Sequence, residues 1–249
     1  MKKIMTLVLA VVMALSLFAC ASADDVTVMT HDEYVAAEMD TEVTVETYVQ
    51  AHQSWWNDQI TVYAQSEDGA YFFYNMACSQ EDAEKLVPGT KIRVTGFKSE
   101  WSGEVEIVDA TFEIIEDAEP WIAEATDVTG LLGTEELIDH QNEFVAFKGA
   151  TVESYKYSKG DETVDTEAAF AYGWDASGAE GTDADLYFSV NVNGETYTFT
   201  VEYYLCNETT EVYEAVRSLN VGDVIDLEGF LYWYNGVNPH ITAVAPAAE

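Results

Sequence analysis

The side chains best suited to recognition in this sequence are aromatic, and they come in runs beside amides and acids. Trp55 and Trp56 precede Asn57, Asp58 and Gln59. Trp101 stands two residues before Gly103, and Tyr232, Trp233 and Tyr234 precede Asn235 and Asn238. Tyr172 and Trp174 lie in a separate glycine-rich stretch. Flat rings next to hydrogen-bonding groups suit stacking on sugar rings, and they suit nucleobases or peptide aromatics equally. The bland alternative is that about half of these rings plug a hydrophobic core. Neighbouring side chains on a strand face opposite ways, so Trp55 and Trp56 cannot both point inward, and one is expected at the surface.

Other chemistry is thinner. Asp175, Glu180, Asp183 and Asp185 are weak candidates for oxygen ligands to calcium, but they follow no EF-hand register, and a solvated acidic loop is the favoured reading. His31, His52, His140 and His240 lack metal-ligand spacing, and His240 reads as structural. No nucleophile elbow, H-E-x-x-H, phosphate-binding loop or paired C-x-x-C is present, so no catalytic residue is assigned and a non-catalytic binding protein is expected.

These residues sit on a duplicated scaffold. Leu86 to Ala110 aligns without a gap on Leu219 to Ala243, 133 positions later, with seven of 25 pairs identical. Chance would give roughly one or two, so this is an internal repeat. Gly96 and Gly229 interrupt equivalent strands, as glycines do at bulges or barrel corners. Alternating apolar residues predict strands over 43–49, 59–65, 70–76, 91–97 and 104–114 in the first copy. In the second they predict strands over 143–157, 186–192, 195–205, 223–231 and 240–244, with Asn193-Gly194 as a hairpin turn. A helix capped by Ser79 and another over 209–219 fall between the third and fourth strands.

That order is a mostly β fold of two tandem OB-fold-like five-stranded Greek-key barrels, each with a short helix between strands three and four. Domain bounds follow: 24–115 is repeat one with a lead-in helix, and 116–133 is a linker. Repeat two is 134–249, with a lead-in helix capped by Thr134 and an acidic insertion over 158–184. The runs Leu86-x-x-Gly89-x-x-Ile92-x-Val94-x-Gly96-Phe97 and Leu219-x-x-Gly222-x-x-Ile225-x-Leu227-x-Gly229-Phe230 resemble the fourth-strand signature of tandem OB-fold domains in bacterial secreted proteins and lipoproteins. Such barrels take ligands on the face of strands two and three, framed by the loops joining strands one to two and four to five. Trp55, Trp56, Trp101, Tyr232, Trp233 and Tyr234 all fall in those loops, which places one expected binding surface on each barrel.

Address and charge bound the partner. Lys2 and Lys3 followed by the apolar run Ile4 to Phe18 read as a signal peptide over 1–23. Two processing readings stay open: Leu17-Phe18-Ala19-Cys20 resembles a lipoprotein signal that would lipidate Cys20, and Ala21-Ser22-Ala23 is an ordinary secretory cleavage site. Either way an extracytoplasmic protein is expected, touching a membrane only through a lipid anchor. Cys78 and Cys206 are expected to be buried thiols rather than a disulfide framework. The 46 acids and 10 bases give a net charge of −36, which opposes binding to phosphate backbones. The expected ligand is therefore a glycan or peptide, with nucleic acid unlikely and a structural or adaptor role in a cell-surface complex as a further alternative. A local basic strip from Lys85, Lys91, Arg93 and Lys98 would revive nucleic acid.

Overall fold

The structure, a computed structural model, describes residues 27–247; the signal segment and Cys20 lie outside the described residues. A capping box between Thr30 and Glu33 starts α1 (His31–Ala36). Strands β1 (Glu42–His52), β2 (Gln59–Ser66) and β3 (Gly69–Ala77) follow, then α2 (Gln80–Ala83), β4 (Lys91–Trp101) and β5 (Glu104–Ile114). They close as a barrel in the order β1-β2-β3-β5-β4. Alternation explains the closure: Val43, Val45, Ile60, Val62, Phe73, Ile92, Val94 and Ile107 all turn inward and are buried in one core.

The second barrel uses the same logic with additions. Strand β6 (Thr126–Asp127) and two 3-10 turns, Thr129–Leu131 and Glu135–His140, precede β7 (Phe144–Glu153). The insertion supplies β8 (Lys156–Lys159), β9 (Glu162–Asp165) and β10 (Phe170–Tyr172). Strands β11 (Leu186–Val192) and β12 (Glu195–Val201), helix α3 (Glu211–Arg217), β13 (Val224–Phe230) and β14 (His240–Pro246) complete it. Strands β7, β11, β12, β14 and β13 close a five-stranded barrel, with β10 and β6 added beside β11 and β7. Gly96 and Gly229 occupy matching places, each at a slip in the ladder to the fifth strand. A Cβ at Gly96 would come within 2.8 Å of Ala110 Cβ, and one at Gly229 within 2.2 Å of the His240 carbonyl oxygen.

Several expectations change at the edges. Strand β1 runs on to His52, and β4 runs to Trp101, which leaves Ser102-Gly103 as a tight turn. The stretch 116–133 is ordered against both barrels: Trp121 packs on Tyr48 and the Ala123 N–H donates to Gln50 Oε1 on barrel one, while β6 pairs with β7 and Val128 and Leu132 join the core of barrel two. Thr134 does not cap the second lead-in helix. Its hydroxyl donates backward to the Leu131 carbonyl, and 135–140 winds as a tighter 3-10 turn. The insertion is not merely solvated, because β8 and β9 form a hairpin and β10 adds to the barrel sheet. Cys78 and Cys206 are free and buried.

The barrels share a seam. Tyr63 and Phe72, on the outer face of β2 and β3, form a small aromatic core with Phe230, flanked by Phe144 and Tyr232. Tyr63 stacks on Phe230 at 4.6 Å, and its hydroxyl is 2.6 Å from His240 Nδ1. The Phe144 N–H donates to Gln65 Oε1 at 2.7 Å, and the Ser54 N–H to the Tyr204 carbonyl at 2.8 Å.

Candidate functional site

The seam decides where a ligand can go. On barrel one the outer face of β2 and β3 carries Tyr63, Gln65 and Phe72, and barrel two covers it. The equivalent face of barrel two, on β11 and β12, is buried at Ser189 and Thr200 but leaves Tyr187, Asn191, Thr196 and Thr198 at least partly accessible. The expectation of one surface per barrel is therefore corrected: only the second barrel offers the sheet face.

On that face lies a cleft of about 310 Å³. Tyr187 and Thr198 form its floor, Tyr155, Tyr157 and Ser158 one wall, and Trp174, Tyr234, Val237 and Asn238 the rest. Strand periodicity puts Tyr187 outward, since Leu186 and Phe188 on either side of it are buried in the core. Trp174 is held by its backbone: the Tyr155 hydroxyl donates to its carbonyl at 2.5 Å, and the N–H of Gly173 beside it donates to Asp185 O at 2.9 Å. Its ring is 62% exposed and separates this cleft from a neighbouring hollow of about 450 Å³ lined by Tyr157, Lys159 and Asp175. Tyr234 reaches the cleft from the loop joining β13 to β14, where Asn235 and Gly236 turn the chain at positive φ.

The lining is five aromatic rings with amide and hydroxyl groups, and no carboxylate, imidazole or thiol among the described residues. Burial pushes the Tyr155 hydroxyl up to about 12 and the Tyr187 hydroxyl higher still, so both stay neutral donors at physiological pH. Behind Tyr187, burial also raises Asp185, and it raises Glu202 to about 7.

Cations are almost all committed elsewhere. Lys91 and Arg93 pair with Glu46, Lys85 with Glu81 and Asp82, Lys148 with Asp226 and Glu228, Lys156 with Asp165, and Arg217 with Glu180 and Glu214. Lys98 is buried, with its ammonium donating to the carbonyls of Tyr34, Val35 and Ala37. No basic strip forms on β4. Among the described residues Lys159 is the one Lys or Arg that is neither ion-paired nor buried, and it lines the hollow beside Trp174.

The aromatic candidates divide. Trp55 is a plug: its Nε1–H donates to the Cys78 carbonyl at 2.8 Å, and its ring packs on core one. Trp56 projects into solvent, 79% exposed. Tyr232 stacks on His240 at 4.2 Å inside the seam, and Trp233 packs on core two, with Gly103 beneath its ring. Trp101 and Tyr234 are 60% and 50% exposed. The calcium candidates do not converge. Asp175 caps Ser177, Glu180 pairs with Arg217 and Asp185 accepts from the Tyr203 N–H; among the described residues no three His, Cys, Asp or Glu could hold a metal. Tyr155, Tyr157, Tyr187 and Thr198 were not singled out from sequence, although the alternation over 186–192 already turned Tyr187 away from the core.

No family model and no curated protein matches the chain. Solved structures with a similar fold include the Ifi202 HINa domain in complex with 20-bp dsDNA, 11% identical, covering 83% of this chain and 96% of that one at a TM-score of 0.34. A murine DNA-binding protein bound to dsDNA is 12% identical, with 83% and 97% covered at 0.37. A replication protein A heterotrimer bound to ssDNA is 12% identical, with 81% and 50% covered at 0.29. These are likenesses of fold. The nucleic acids bound in them are those proteins' ligands, and they run against the expectation here of glycan or peptide first with nucleic acid unlikely.

Proposed function

We propose that this chain is a non-catalytic single-stranded nucleic-acid-binding protein that takes unstacked bases into the cleft of its second barrel. The carrying observation is the juxtaposition of Trp174, Tyr157 and Tyr234 around Tyr187 of the second barrel's sheet face, with Lys159, which makes no ion pair, in the adjoining hollow. Every base has a π-face, so stacking on such rings tolerates sequence. Asn238, Thr198 and Ser158 supply hydrogen bonds to base edges. The cleft is lined by rings, hydroxyls and an amide, which suits binding, and the carboxylate of the adjoining hollow, Asp175, is taken up by Ser177.

The net charge of −36 shapes the interaction and does not forbid it. With one free lysine at the site, little of the affinity comes from phosphate neutralisation, and short flexible strands are favoured over duplex. A basic start at Lys2 and Lys3 and the apolar run Ile4 to Phe18 support the resemblance to secreted tandem OB-fold proteins, and thus action outside the cytoplasm.

Titration of the mature chain with oligothymidylate, followed by intrinsic fluorescence, tests the reading. Stacking contributes about 1–3 kcal/mol per base, so Trp174→Ala should weaken binding roughly 5- to 150-fold with an unchanged melting temperature. Unaltered affinity in that variant would remove the cleft from the function.

A further inference from the structure

Trp101 is an exposed tryptophan at the tip of a two-residue turn, on the barrel whose sheet face is covered. Its place becomes intelligible from the seam. The Asn235 N–H, one residue from Tyr234, donates to the carbonyl of Ser102, one residue from Trp101, at 2.7 Å. Standard backbone dimensions then hold the Cα atoms of Tyr234 and Trp101 no more than about 12 Å apart, a span that a strand running on beyond the cleft crosses with a few further nucleotides.

The two tips are fixed, not merely adjacent. Ser102 and Asn235 both take positive φ, at 54° and 55°. A side chain at Gly103 would strike the Trp233 ring at 2.8 Å, so glycine there lets the turns close on each other. Glu104 Oε2 accepts from the Trp233 N–H at 2.8 Å, and Gln141 Nε2 donates to the Gly103 carbonyl at 2.8 Å. Loop tips are ordinarily mobile, and this pair is bonded along its length.

We propose that the two tips form one stacking track, in which a strand leaving the cleft at Tyr234 crosses the seam and places a further base on Trp101. This extends the cleft reading and rests on it. The exposed Glu100 beside Trp101 repels phosphate, so the track engages base faces while the sugar-phosphate chain lies toward solvent. The site then belongs to both barrels, and its occupant is a single strand of several nucleotides rather than a free nucleotide.

The test compares trithymidylate, which the cleft alone can hold, with octathymidylate, using the full mature chain. Trp101→Ala should weaken octathymidylate binding roughly 5- to 150-fold while leaving trithymidylate unchanged. Trp101→Phe should restore most of the loss, and Trp174→Ala should weaken both ligands. If Trp101→Ala leaves octathymidylate binding intact while Trp174→Ala lowers it, the track is wrong and the cleft stands. An equal loss for both lengths in Trp101→Ala would also overturn a separate extension. No binding of either oligomer by the parent chain would overturn cleft and track together.

Discussion

Glu104 is the residue on which the seam turns, because its carboxyl is wholly buried between the barrels. One oxygen accepts from the Trp233 N–H and Gln141, and the other has no hydrogen-bond partner. Burial lifts the group to about 8, against roughly 4.3 for an unfolded glutamate, with the charge of nearby Glu106 adding to the rise. A carboxyl raised in the folded state contributes stability that is complete below the unfolded value and lost as pH climbs through the folded one. The melting temperature should therefore fall between about pH 4 and pH 8, and Glu104→Gln should flatten that fall, leaving the slopes of the other raised carboxyls, Glu202, Glu106 and Asp185, opposed below about pH 6.5 by buried His240. Parallel curves for the two proteins would exclude Glu104 as the source. Gly229 gives a second residue-scale expectation. Alanine there must displace the backbone at His240, at a cost of about 1–3 kcal/mol in chemical denaturation, whereas alanine at the open Gly149, despite its positive φ, meets no atom within 4 Å.

At the scale of elements, β13 holds its barrel through Ile225 and Leu227, both buried. Ile225→Ala should cost about 2–5 kcal/mol. Removing 160–182 and rejoining the chain should leave the barrel strands folded while abolishing oligothymidylate binding, since the cut takes Trp174 and leaves β7 and β11 to β14 intact. The barrel strands were legible in the sequence because one inward face per strand forces period-two alternation, and Gly96, Gly229 and Asn193-Gly194 mark places only certain residues tolerate. The insertion was not legible. Its acids and glycines hide Phe170-Ala171-Tyr172, a strand with too few residues to show a period, which forms only because β11 presents an edge to it. The seam was hidden for a different reason: Tyr63 and Phe72 alternate outward, and alternation says which face a ring is on but not what later covers it. The outward set on β2 and β3 thus read as a ligand face when it is an internal one.

At the scale of the molecule, the seam makes two repeats into one body with one open site. Tyr63 meets Phe72 edge-on, stacks on Phe230 and bonds His240, whose burial holds it neutral, with a pKa lowered to about 3. The parent chain should unfold in one calorimetric transition, and Tyr63→Ala, at about 3–5 kcal/mol for a buried aromatic, should split it in two. A net charge of −36 with one free lysine at the cleft fixes the salt response: the logarithm of affinity for a single strand should fall against log salt with a slope on the order of −0.7, as for one neutralised phosphate. A slope several times steeper would mean a basic surface that the ion pairs of Lys91 and Arg93 exclude. The most direct test of the central claim is photocrosslinking of an octathymidylate carrying iodouracil, with the adducts mapped by peptide mass spectrometry. Adducts on the peptides bearing Tyr157, Trp174 or Tyr234 are the predicted result. Adducts confined to Trp56 on barrel one, or none at concentrations that saturate a fluorescence titration, would contradict it.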